Sequence, residues 1–138
     1  MRPVLRSLPL LLAVAIAGCG QPASSASDFK GAKKDVADTI EELQTSASSR
    51  KSADICADLL ARSYVDKLKA SGNDCVDEME KITGDADDFE LDVKAVTITG
   101  DTATAEIEAL KNGKDGATTT FALEREDGEW RLANLGSS

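Results

Sequence analysis

The chain contains no histidine. That removes His-based metal sites, the commonest acid–base side chain, and every Ser-His or Cys-His nucleophile pair. Aromatic residues make up only 4% of the 138 residues: Phe29, Phe89, Phe121, Tyr64 and Trp130. A core must therefore rest mainly on Ala, Val, Ile and Leu. Positive charge is also scarce, with 16 Lys and Arg against 25 Asp and Glu and a formal charge of −9. Such a surface repels phosphate backbones, which argues against nucleic acid as a partner. It repels anionic lipid head groups as well, so charge alone would not hold it to a membrane. Cysteine is limited to Cys19, Cys56 and Cys75.

What is present begins with a leader. Arg2 and Arg6 precede an apolar run from Leu8 to Ala17, which ends in the small residues Ala17 and Gly18. This is the pattern of a secretory signal. Ile16-Ala17-Gly18-Cys19 resembles the lipobox of bacterial lipoproteins. In that family the chain is cut before the Cys, and its thiol carries a diacylglycerol. The resemblance implies lipidation of Cys19 and attachment to membrane lipid on the extracytoplasmic face of the cell membrane. Two other readings stand beside it. A retained transmembrane helix would need roughly 20 apolar residues, and the run has about ten. Ordinary signal cleavage near Ala17 or Ala23 would leave Cys19 without a special role.

Loss of Arg2 and Arg6 with the leader lowers the basic count from 16 to 14 against 25 acids, a charge of −11. The expected organisation is a leader over 1–18, the lipidated Cys19 with a flexible tether over 19–27, and one domain over 28–138. The tether follows from Gly20-Gln21-Pro22-Ala23 and the Ser and Ala residues after it, which are small and polar. With Cys19 assigned to acylation, Cys56 and Cys75 remain. Two cysteines in an oxidising compartment favour a disulfide over two buried free thiols.

Along the domain the hydrophobic period changes once. Val36, Ile40 and Leu43 recur at helical spacing, predicting a helix from Phe29 to about Ser48. Ser52 can cap a second helix carrying Ile55, Cys56, Leu59 and Leu60, continuing, with or without a kink, through Tyr64, Val65 and Leu68. Asn73 or Asp74 opens a third, short helix with Cys75, Val76, Met79 and Ile82, which Gly84 stops. Beyond Gly84 the pattern alternates. Phe89, Leu91 and Val93 point one way, and Val96 and Ile98 follow in the opposite parity, so a bulge is expected near Lys94-Ala95. Further strands run through Ala103–Ala109, Ala117–Glu126 and Glu129–Leu135, separated by Gly-Asp, Asn-Gly and Asp-Gly turns. Helices first, then strands joined by tight turns, predict an α+β fold. About three N-terminal helices would pack on a curved antiparallel sheet of about four strands.

Val96-Thr97-Ile98-Thr99-Gly100-Asp101-Thr102-Ala103-Thr104-Ala105 and Leu123-Glu124-Arg125-Glu126-Asp127-Gly128-Glu129-Trp130-Arg131-Leu132 carry a second resemblance. With the upstream helices, they are similar to small bacterial (actinobacterial-type) lipoproteins of the nuclear transport factor 2-like (NTF2-like) superfamily. The similarity covers roughly Lys34 to Leu135. It implies a cone, with helices packed into the concave side of a bent sheet, and Cys56 and Cys75 look like that group's cysteine pair. The superfamily includes isomerases, dehydratases, binding proteins and assembly modules, so the fold does not select a function.

Candidate chemistry is sparse. Isomerases of that superfamily pair a cavity Tyr with an Asp. Here Tyr64 has Asp66 two residues on, and residues two apart on a helix do not face each other. Gly84-Asp85-Ala86-Asp87-Asp88 fails as an EF-hand, because the sixth and twelfth positions from Asp85 are Glu90 and Val96. Asn112-Gly113-Lys114-Asp115-Gly116 lacks the helix that a phosphate loop requires. No catalytic residue, metal site or cofactor is therefore expected. The sequence points to a monomeric, non-catalytic binding or interaction module. Tyr64 and Trp130 are its candidate ligand contacts, and a small apolar ligand or a cell-envelope protein is its partner. The competing class is an isomerase- or dehydratase-like enzyme using the cone cavity.

Overall fold

The structure, a computed structural model, describes residues 25–114 and 116–136. The side chains of Ser25, Asp88 and Phe89 fall outside that description, as do the expected leader, Cys19 and most of the expected tether.

Helix α1 spans Ala32–Ser48 and buries Val36, Ala37, Ile40, Leu43 and Ala47 along one face. It starts three residues later than its periodicity suggested. Phe29 belongs to the approach, and Gly31 turns the chain into the helix with φ 59°. Ahead of it, Ser25–Asp28 forms a 3-10 turn. Ala26, read from the sequence as tether, is buried in the core, and its amide donates to Glu41 Oε1 at 2.9 Å.

The expected second helix is two helices. Ser52–Asp54 (α2) runs into a π turn over Ile55–Leu59, which the Leu60 amide closes by donating to the Ile55 carbonyl at 3.0 Å. Leu60 and Ala61 are then extended, with ψ of 140° and 146°, before α3 spans Arg62–Ala70. The break has a tertiary cause. Leu60 and Ala61 lie against the sheet, where the Ala61 amide donates to the Leu132 carbonyl at 2.9 Å and Leu60 bridges Leu132 in parallel. Both residues are almost fully buried, and an unpaired backbone amide there would be costly. Helix α4, Cys75–Ile82, starts as expected at Asp74, whose carboxylate accepts from the Val76 and Asp77 amides. The described residues thus hold four α-helices rather than three.

Strands β1 (Phe89–Thr99), β2 (Thr102–Lys111), β3 (Thr118–Glu126) and β4 (Glu129–Asn134) form one antiparallel sheet in sequence order. The β1–β2 register slips between Val93 and Ala95, at the expected bulge. That slip keeps Val93 and Val96, which differ in parity, both on the buried side. At the last hairpin Asp127 and Gly128 both have positive φ, 52° and 87°, the geometry of a two-residue turn matched to strand twist. In β2, Ala103, Ala105 and Ile107 are buried, whereas Thr102, Thr104 and Glu106 are exposed. The helices therefore cover one face, and the core joins α1 to the inner residues of all four strands. Val36, Ile40, Ile55, Met79, Ile107, Leu123 and Leu132 are its largest fully buried side chains. At about 25 cal/mol per Å² of apolar surface, each such side chain contributes about 1.5–3 kcal/mol before entropy is counted.

Candidate functional site

The helix layer and the sheet part at one end of the molecule. The second half of α1 brings Leu43 and Ala47, α4 brings Met79 and Ile82, and the sheet brings Leu91, Ala109 and Phe121. Between them lies an apolar cleft of about 180 Å³. No lining side chain among the described residues is titratable. Gln44 and Thr83 are polar, but both are engaged within the protein. Gln44 Oε1 accepts from the Leu91 amide at 2.9 Å, its Nε2 reaches Ser48 Oγ at 3.4 Å, and Thr83 Oγ1 donates to the Met79 carbonyl at 2.7 Å. Ile82 is the one exposed large hydrophobic side chain among the described residues, 51% exposed, and it stands on this cleft.

Alanine makes the space. Ala47, Ala86 and Ala109 come from three separate elements and all face the gap. The alternation in β2 showed which way Ala109 points, but it could not show whether a neighbouring side chain fills the room that alanine leaves. Met79 belongs to the third expected helix, yet nothing in its local pattern marked it as a ligand contact.

The two expected ligand contacts are elsewhere. Tyr64, on α3, is half-buried and packs against the core. Burial raises its phenol above the ordinary value, and the Glu78 carboxylate on α4 adds to the shift. The electrostatic partner of Tyr64 is therefore a residue of another helix, not Asp66. Trp130, on β4, is 6% exposed, with the Arg125 guanidinium 4.7 Å from its ring centre. That stacking is a cation–π contact with the cross-strand neighbour. Trp130 borders a wide polar groove of about 600 Å³, where Asp35, Asp38 and Glu42 of α1 face Glu129 and Arg131 of β4. Neither Tyr64 nor Trp130 lines the apolar cleft.

Cys56 and Cys75 are joined in a disulfide, with Cα atoms 6.2 Å apart, inside the range such a bond requires. It ties the π turn to the first residue of α4. Cys19 lies outside the described residues. The acidic loop after Gly84 is a short 3-10 turn, Ala86–Asp88, and Asp87 pairs with Arg50. Among the described residues no group of acids, cysteines or histidines is placed to hold a metal ion, and no helix is long and apolar enough to cross a membrane. No protein-family model and no curated protein matches the chain.

Proposed function

We propose that this chain is a membrane-anchored, extracytoplasmic lipoprotein, held to membrane lipid through acylated Cys19. Its NTF2-like domain acts as a non-catalytic binding module for an apolar ligand. The observation that carries the binding reading is the apolar cleft between α1, α4 and the sheet, which has no titratable side chain among its described lining residues. General acid–base catalysis needs such a group within hydrogen-bond reach of the reacting atom. A lining mainly of aliphatic side chains, with one thioether, one phenyl ring and the internally bonded Gln44 and Thr83, binds by burial instead. The leader pattern and the lipobox-like Ile16-Ala17-Gly18-Cys19 support the anchor. The order of helices before an antiparallel meander, with the β1 bulge bending its edge strand, supports the cone reading. The outer sheet face carries Thr102, Thr104 and Glu106, polar and exposed, and supports a monomer.

The test is a methyl-detected titration of the full chain with a panel of uncharged apolar molecules. Saturable shifts at Met79 and Ile82, with no chemical change in the added compound, are expected. Absence of shifts across the whole panel, or turnover of any member, would overturn the reading.

A further inference from the structure

Resting on that reading, we infer that the cleft takes a free, uncharged apolar molecule of about the size of a single benzene ring, rather than a steroid or a long acyl chain. Three observations define this ligand class. The first is volume. The cleft measures about 180 Å³. An engineered aliphatic cavity of about 150 Å³ stays dry and binds benzene, whereas sites for drug-sized ligands run to about 300–1,000 Å³. The second is hydrogen bonding. Gln44 Oε1 and Thr83 Oγ1 already bond inside the protein, so the two polar side chains of the lining leave few hydrogen-bonding valences for a ligand. A desolvated hydroxyl or carboxylate without a partner is strongly disfavoured. An uncharged apolar ligand therefore suits this lining best.

The third observation is what surrounds the cleft. A stable dimer buries about 800 Å² per partner. Around this opening only Ile82 offers a large exposed apolar side chain among the described residues. A second copy or a folded protein would find too little apolar surface, but a small molecule needs none outside the cleft. The wall on the α4 side is also the adaptable one. Met79 is the only buried residue of α4, and its unbranched thioether can shift to fit a ring. Ile82 at the rim can turn aside and then cover the bound molecule. Phe121, on the sheet wall, offers a ring for edge or offset stacking.

The experiment uses the full chain with toluene, decanoate and cholate as probes, followed through the methyl resonances of Met79 and Ile82. Ala86→Leu and Ala109→Leu each fill the cleft from a different element, so one remains informative if the other does not fold. Toluene should give saturable shifts at Met79 and Ile82 in the unmodified chain, with binding at least tenfold weaker in either folded variant. Decanoate and cholate should give no saturable shift at those methyls. Saturation by decanoate or cholate without toluene would overturn the size class and leave the binding reading standing. Unchanged toluene binding in the filled variants would place the ligand elsewhere and overturn the inference. Shifts at the same methyls that depend on protein concentration alone would make a second copy the occupant, with the same consequence. Silence from all three probes would overturn the size class, and extension of that silence to the wider panel would end the binding reading too.

Discussion

Arg131 Nη1 donates to the carbonyl oxygen of Ala57 at 3.0 Å, and the same nitrogen bonds the carbonyl of Asp58. A strand side chain thus caps the last carbonyls of the π turn, placing a cation where a helical segment carries its negative end. The contact fixes the irregular Ile55–Leu59 segment to β4 just before the chain becomes extended at Leu60.

Arg131→Met should therefore cost about 1.5–3 kcal/mol, the range for hydrogen bonds to a charged group. Arg131→Lys should recover only part of it, because a single ammonium cannot reproduce the planar fork. Urea unfolding of the three proteins checks this. A methionine variant as stable as the parent would remove Arg131 from the account of the π turn.

Cys19→Ala should release the protein from the membrane fraction. Mass spectrometry of the unmodified chain should find lipid on a polypeptide that begins at Cys19. A diacyl group supplies the two chains that stable attachment requires. Retention of the alanine protein at the membrane would argue for ordinary burial of the leader instead.

Replacing both Cys56 and Cys75 by Ala should lower stability by about 3 kcal/mol in the chain-entropy model, given their separation of 19 residues. The loss should also be local. α4 keeps Met79 as its one buried residue, so its amides should exchange faster while those of α1 and the sheet hold their protection. Hydrogen exchange separates the two effects, and uniform exchange across the fold would contradict the local part.

Tyr64 should titrate above its ordinary value of 10.0, for which burial is the larger cause and Glu78 the smaller. The raised value means the folded state holds the phenol proton more tightly than the unfolded chain does. The resulting stability is complete below about pH 10 and is lost as pH rises from there through the folded value. Since Tyr64 is the only tyrosine, near-ultraviolet phenolate absorbance reports it alone. Glu78→Gln should lower the midpoint by the smaller part of the shift. A midpoint at or below the ordinary value would contradict the burial seen for this side chain.

Much of the architecture was legible because it follows from local periods. Val36, Ile40 and Leu43 announced α1, and the parity change between Val93 and Val96 announced the bulge. The disulfide was legible by elimination once Cys19 was set aside. The break at Leu60–Ala61 was legible only as the option of a kink, not in its place or extent, because its cause is Leu132, far along the chain. The burial of Ala26 was hidden among small residues that read equally well as tether. The cleft escaped for a related reason. Periodicity assigns faces, whereas a cleft is the mismatch between faces, and alanines at 47, 86 and 109 look alike whether a neighbour fills their space or not.

The pairing of Ala61 with Leu132 also sets an order of events for a chain emerging N-terminus first. The hairpins of the meander can close as each turn appears, since every strand pairs with its neighbour in sequence. The Leu60–Ala61 segment has to wait, its amide without a strand partner, until β4 has been made. Completion of the helical half is thereby deferred until β4 has emerged. A product truncated before Leu132 would expose Leu60 and the inner side of β3 together, an unpaired edge beside an apolar segment. Strand β4 thus acts as the latch on material made long before it.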